Sequence, residues 1–175
     1  MPIFNQVVKG SGGGSAPQYY IERTLDANGC LQFGSTIMDF TGVKSLGYNV
    51  LYYAYSYNDN ISGEVRFPDL ESVTENNGGN TAFSNTNITG VYMPKLESVT
   101  SNSGCGQMFS GCRRNTVAYL PKLKTIGSRY SGYLASCFNM FADNNITGVV
   151  DLSSLEFVGG GNAATQMFNS NRNIT

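Results

Sequence analysis

The sequence contains no histidine, and only 13% of its residues are charged. Without histidine the chain lacks the side chain that most often does general acid–base work at neutral pH, and the usual zinc ligand sets go with it. Eleven Lys+Arg stand against 12 Asp+Glu, a formal charge of -1. No sequence-wide basic field exists to hold a phosphate backbone, so nucleic acid is not an expected partner. The four cysteines, Cys30, Cys105, Cys112 and Cys137, show no CxxC spacing, which leaves the redox compartment open. No stretch approaches the ~20 apolar residues of a membrane span, and the opening residues lack the charged and apolar regions of a secretory signal. Neither membrane insertion nor a signal peptide is expected. Phosphate-cradling and EF-hand patterns are missing too: Gly10–Gly14 has no following Lys-Ser/Thr, and Asn58-Asp59-Asn60 lacks the glycine and the distal glutamate. No cofactor and no metal site is expected.

In place of ions the chain carries 19 Asn, 21 Gly and 11 Tyr among 175 residues, a length suited to one domain with a sizeable core. Residues 1–16 read as a flexible N-terminal segment, with Lys9–Ala16 a Gly-rich linker and Met1–Val8 either a small attachment element or a disordered start. Residues 17–37 read as a capping β-hairpin. There Tyr19–Phe33 alternates apolar and polar residues around Asp26-Ala27-Asn28-Gly29, whose Asn-Gly is a strong hairpin-turn signal.

From residue 38 to 175 the chain repeats. Phe67-Pro68-Asp69-Leu70-Glu71-Ser72-Val73, Met93-Pro94-Lys95-Leu96-Glu97-Ser98-Val99 and Leu120-Pro121-Lys122-Leu123-Lys124-Thr125-Ile126 are three clear copies, with degenerate ones at Phe40–Leu46 and Leu152–Val158. The register marks Val43, Leu70, Leu96, Leu123 and Leu155 are spaced 27, 26, 27 and 32 residues apart, as in a short solenoid of five turns. A second anchor recurs at Phe83, Phe109, Phe141 and Phe168, three of them preceded by methionine, and reads as core packing rather than a cofactor box. Asn-Ile-Ser/Thr recurs at Asn60, Asn87, Asn145 and Asn173. Formally that is a glycosylation acceptor, but its fixed register reads as stacked turn-capping amides.

The pattern Pro-x-Leu-x-x-Val, then an apolar-Phe pair, then Ser110-Gly111-Cys112 resembles the bacterial surface-protein type of leucine-rich repeat, the BspA-like family. The resemblance covers roughly Met38–Thr175 and implies an α/β leucine-rich-repeat-like right-handed array with short parallel strands. It also implies adhesion or host contact, and a buried ladder position for Cys112. Members of that family usually carry secretion signals; a soluble start with a Gly-rich linker looks more like a phage or prophage tail-associated protein. The expected place is the cell surface, the extracellular space or a virion.

In each turn a strand triplet precedes the Pro-x-Leu mark: Met38–Phe40, Val65–Phe67, Val91–Met93, Ala118–Leu120 and Val150–Leu152. Outer residues of a triplet point inward and the middle one outward, so Asp39, Arg66, Tyr92, Tyr119 and Asp151 are expected to form one exposed row. Its tyrosine pair with ionic edges is either a contact patch or a sheet-stabilising pair. Lys44, Glu71, Glu97, Lys124 and Glu156 form a second row, assigned to register alone. Arg129, Tyr130 and Tyr133 lie where five extra residues loop out of the fourth turn, a second contact candidate. Tyr52, Tyr53, Tyr55 and Tyr57 are a third, half of it expected in the core. Catalysis is not expected, because no acidic pair converges from separate elements. A thiol activated at Cys112 by Arg113 and Arg114 is the weaker alternative to a buried one.

The expected function is therefore a non-catalytic binding or adhesion module for a protein or glycan. The alternative is a structural self-assembling component, phage tail-associated, that forms a homo-oligomer through the open strand edge at Asn173-Ile174-Thr175. A parallel β-helix of the tailspike type is the alternative fold; a complete lack of helix would favour it, and it would admit carbohydrate cleavage.

Overall fold

A strand that alternates apolar and polar residues must bury one set and expose the other, and the triplets of the middle turns do this. The computed structural model describes residues 4–8, 19–25, 31–32, 37–128 and 135–174. Val65, Phe67, Val91, Met93, Ala118 and Leu120 are buried, while Arg66, Tyr92 and Tyr119 between them reach the surface. At the N-terminus β1 (Phe4–Val8) pairs antiparallel with β2 (Tyr19–Leu25), which pairs antiparallel with β3 (Leu31–Gln32). Four strands, β4 (Ile37–Asp39), β5 (Ser62–Arg66), β7 (Asn87–Tyr92) and β9 (Ala118–Tyr119), form the first parallel sheet in that order. The second parallel sheet is β6 (Ser72–Val73), β8 (Ser98–Val99), β10 (Thr125–Gly127) and β12 (Phe157–Gly159). A further pair, β11 (Thr147–Gly148) and β13 (Asn173–Ile174), is also parallel. Together these make a parallel β-solenoid of about five turns.

Its third wall departs from the α/β expectation, because there is no helix among the described residues. Where a leucine-rich repeat would carry its non-strand segment, this chain runs through overlapping turns. Val50, Tyr52, Ala54 and Ser56 each donate their amide to the carbonyl three residues back. The amides between them, at Asn49, Leu51, Tyr53, Tyr55 and Tyr57, donate across to Asn76, Gly78, Asn80, Ala82 and Ser84 of the next coil at 2.8–3.3 Å. The next three coil junctions repeat this alternation. Every fourth residue is left-handed: Asn49, Tyr53 and Tyr57, then Asn77, Thr81 and Asn85, then Ser103 and Gln107 followed by Gly111. A left-handed residue cannot continue a right-handed helix, so the chain is turned aside once per four residues and stays a wall of turns.

At the N-terminus the structure describes strand pairing alone. β2 and β3 pair antiparallel, with Thr24 opposite Gln32 and Leu25 opposite Leu31, and β1 adds a third strand. The Asn28-Gly29 turn and the Lys9–Ala16 linker lie outside the described residues. Among the described residues no ladder joins this sheet to the first coil, so its pairing gives no support to a capping role.

The core is a column of rings. Tyr55, Phe83, Phe109, Phe141 and Phe168 stack one per coil with centroids 5.0, 5.5, 5.4 and 5.4 Å apart and planes within 15° of parallel. Burying one such ring contributes about 1.5–3 kcal/mol, and stacking adds roughly 0.5–1.5. Tyr55 is the member the repeat marks do not announce; it takes the phenylalanine position of the first coil. Three residues beyond the rings, polar side chains tie neighbouring coils together. Cys112 Sγ donates to the Phe83 carbonyl at 3.0 Å, Asn144 Nδ2 to Phe109 at 2.8 Å and Asn171 Nδ2 to Phe141 at 2.7 Å. Asn115 Nδ2 donates to Asn144 Oδ1 at 2.8 Å, so the buried Asn144 amide is used on both ends.

A candidate ligand-binding face

The first sheet sets the geometry of the predicted row. Asp39 pairs with Arg66, Arg66 with Tyr92 and Tyr92 with Tyr119, so four of the five residues lie side by side on consecutive strands. At ~4.8 Å per strand the row spans about 14 Å. Tyr92 and Tyr119 rings are 6.3 Å apart at a tilt of 49°, and the Arg66 guanidinium sits 5.5 Å from the Tyr92 ring centre. Tyr119 is 47% exposed.

Two residues that sequence reasoning passed over complete this face. Glu64, two residues before Arg66 on the same side of β5, accepts from Arg66 Nε at 2.9 Å and from the Tyr92 hydroxyl at 3.5 Å. Burial, and then the nearby Glu64 carboxylate, push the Tyr92 phenol above its ordinary pKa, so it stays a neutral hydroxyl. Gly90 is the second. Register shifts between β5 and β7 there, with Gly63 opposite Ile88 and Glu64 opposite Gly90, which leaves Thr89 as an extra residue. A Cβ on Gly90 would stand 3.0 Å from the Tyr92 ring, so the glycine at this bulge lets the phenol lie close over the strand. The i, i+2 spacing of Glu64 and Arg66 and the recurring Ser/Thr-Gly at Gly63, Gly90 and Gly148 were the available signals.

The fifth member falls out of the row. Val150–Leu152 forms no strand; β11 lies earlier, at Thr147–Gly148, and pairs with β13. Asp151 is exposed and accepts from the Ser153 amide at 2.9 Å, an Asx-type turn that competes with extension into a strand. The Ser153 bonds hold its carboxyl below the usual carboxylate range. Arg129, Tyr130 and Tyr133 lie outside the described residues.

The second row stacks through its backbone: Glu71, Glu97, Lys124 and Glu156 donate their amides to Lys44, Glu71, Glu97 and Lys124 in turn. Lys124 bonds Glu97 at 3.0 Å. A neighbouring corner pair, Lys95 with Asp69 at 2.7 Å, holds the Asp69 carboxyl below its ordinary pKa, helped by the Gly42 amide. Exposed pairs of this kind are screened by water and help register more than stability. Of the repeated Asn-Ile amides, Asn173 donates to Asn145 at 3.2 Å and Asn87 to the Asp59 carbonyl at 2.8 Å, so at these positions the amide links adjacent coils.

The three cysteines among the described residues are not activated. Cys105 is pushed up to about 12 by burial, and burial raises Cys112 and Cys137 as well. The arginines beside Cys112 are exposed while its sulfur faces the core. Among the described residues no cluster of His, Cys, Asp or Glu could hold a metal ion, and no helix is long and apolar enough to cross a membrane. Fold and face together define a class, a repeat protein of the parallel β-solenoid type. Compared with known proteins, the chain matches no family model, no curated protein and no solved structure.

Proposed function

We propose that the chain is a non-catalytic binding module of the adhesion type, holding a protein or glycan ligand at a cell or particle surface. The observation that carries this reading is the register-paired row Asp39, Arg66, Tyr92 and Tyr119. It presents an arginine and two tyrosines in succession, with Asp39 at one end and Glu64 bonded to Arg66. Tyrosine and arginine are enriched among the residues that dominate protein interfaces, and neighbouring charges give orientation more than affinity. A polypeptide fits such a mixed aromatic and ionic strip better than a neutral sugar does. The resemblance to BspA-like surface proteins points the same way, and within that resemblance the N-terminal hairpin would cap the array.

Turnover is not part of the proposal. Asp69 and Asp151 are both held ionised by their hydrogen-bond partners, the opposite of what a general acid needs. The deciding experiment is a cell- and protein-binding screen of the intact chain beside a folded Tyr92→Ala/Tyr119→Ala variant. Truncating central interface residues of this type costs about 2 kcal/mol or more, so a ligand that uses the row is lost at least tenfold. Equal binding by both proteins would remove the row from the function.

A further inference from the structure

Beyond the sheet, the wall of turns carries a second surface of different chemistry. Its five segments, residues 47–57, 74–85, 100–112, 135–144 and 160–171, contain only two charged residues, Glu75 and Asp143. The first coil is the aromatic part of this wall. Tyr48, Tyr52, Tyr53 and Tyr57 are all exposed, at 52, 45, 51 and 74%. Tyr52 and Tyr53 meet edge to face at 4.6 Å. Asn49 is exposed within the same segment, whereas the carboxamides of the next coil are engaged elsewhere: Asn76 Oδ1 accepts the Asn102 amide and Asn85 Nδ2 donates to Ser84 Oγ.

The residues chosen at the turn points also set this coil apart. Tyr53 and Tyr57 are left-handed, at φ 53° and 57°. The positions stacked on Tyr57 in the other coils hold Asn85, Gly111, Asp143 and Ser170, small residues, three of which suit that conformation better than a bulky ring. A tyrosine at 74% exposure gains little from packing there. The left-handed state itself recurs in every coil, at Thr81, Gln107, Asn139 and Gln166 as at Tyr53, so what marks the first coil is an exposed phenol at both of its positions.

We propose that this first-coil wall is a platform for a neutral polysaccharide. Exposed phenol faces take the apolar C–H face of a pyranose, and the Asn49 carboxamide and the phenol hydroxyls bond its rim without any charge being stripped of water. A near-uncharged wall gives no attraction to an anionic chain and no ionic partner for a charged peptide. The surface is separate from the Tyr92–Tyr119 row and takes a different ligand, so either can stand without the other.

The test is affinity electrophoresis of the intact chain through gels containing laminarin, mannan, soluble xylan or, as the anionic arm, heparin. Three proteins are compared: wild type, Tyr53→Asn/Tyr57→Asn, and Tyr92→Ala/Tyr119→Ala. The wild type is expected to be retarded by at least one neutral polysaccharide, with little change between low and high salt. Tyr53→Asn/Tyr57→Asn should lose that retardation at least tenfold in affinity while its melting temperature stays level or rises, since asparagine tolerates the left-handed state; that rise separates lost contact from lost fold. Tyr92→Ala/Tyr119→Ala should retain it. Absence of retardation by every neutral polysaccharide, retardation by heparin alone, or full retention in Tyr53→Asn/Tyr57→Asn would each overturn the proposal. Loss in the Tyr92→Ala/Tyr119→Ala variant instead would move sugar binding to the sheet row.

Discussion

At the scale of single residues, stability in this chain depends on which side chains are small where coils touch. Gly127 is left-handed at φ 85° and pairs with Gly159 between β10 and β12. A Cβ there would run into the Gly159 carbonyl oxygen and lie 2.8 Å from the Ala163 side chain. Gly127→Ala therefore combines left-handed strain with an overpacked contact, each about 1–3 kcal/mol. The expected loss is about 2–6 kcal/mol by denaturant titration, whereas Gly148→Ala, also left-handed at φ 77° but with open space around its Cβ, should lose only the strain. Equal losses at the two sites would mean that strain alone matters and that the contact with Gly159 relaxes freely.

At the scale of elements, the ring column and the turn wall depend on each other. Phe83, Phe109 and Phe141 are each gripped above and below by a ring of the neighbouring coil, and the turn bonds between coils hold that spacing. Phe109 has neighbours on both sides, at 5.5 and 5.4 Å, and is fully buried. Phe168 is only partly buried and stacks on Phe141 alone. Phe109→Ala should cost about 3–5 kcal/mol and Phe168→Ala distinctly less, as read from the two denaturation midpoints; similar values would make the column a row of independent contacts. The column was legible in the sequence from Phe83 onward because phenylalanine marks each coil, but Tyr55 was hidden in a run of alternating tyrosines. The turn wall was less legible. Cys105, Met108, Phe109 and Cys112 are buried at i, i+3, i+4 and i+7, the spacing of an amphipathic helix, and a train of turns with a left-handed residue every four positions produces the same spacing. What separates the two is the residue type at the turn points, Asn49, Asn77, Asn85 and Gly111, which favours the left-handed state. The second sheet went unread for a different reason: two-residue strands such as Ser72–Val73 are too short to show alternation. The candidate row was legible for four of its five members because each sits in a buried–exposed–buried triplet. The fifth failed where Asp151 takes a local bond with Ser153, and Glu64 and Gly90 were missed because their roles come from the bulge and not from the repeat.

At the scale of the whole molecule, each coil touches its two neighbours and little else, so the stability of the array is close to a sum over coils and junctions. That additivity has a direct consequence. Residues 86–111 span one repeat of 26 residues, and removing them joins Asn85 to Cys112, the residue that stands in the place of Thr86. The Phe83 ring would then meet Phe141 through the same stacking, and β5 would meet β9 with Arg66 beside Tyr119. The shortened chain is expected to keep a β-type far-ultraviolet spectrum without helical minima and to unfold in one transition. At ~0.05–0.15 kcal/mol per residue the loss should be about 1–4 kcal/mol. It would also lose Tyr92 while keeping Tyr119, so a ligand held by the tyrosine pair should leave it even though the fold remains. Failure to fold would show that the central coil acts as a nucleus on which the others depend. Two separate unfolding transitions would show that the coils on either side of the deletion no longer recognise each other, and the additive picture would fall with either result.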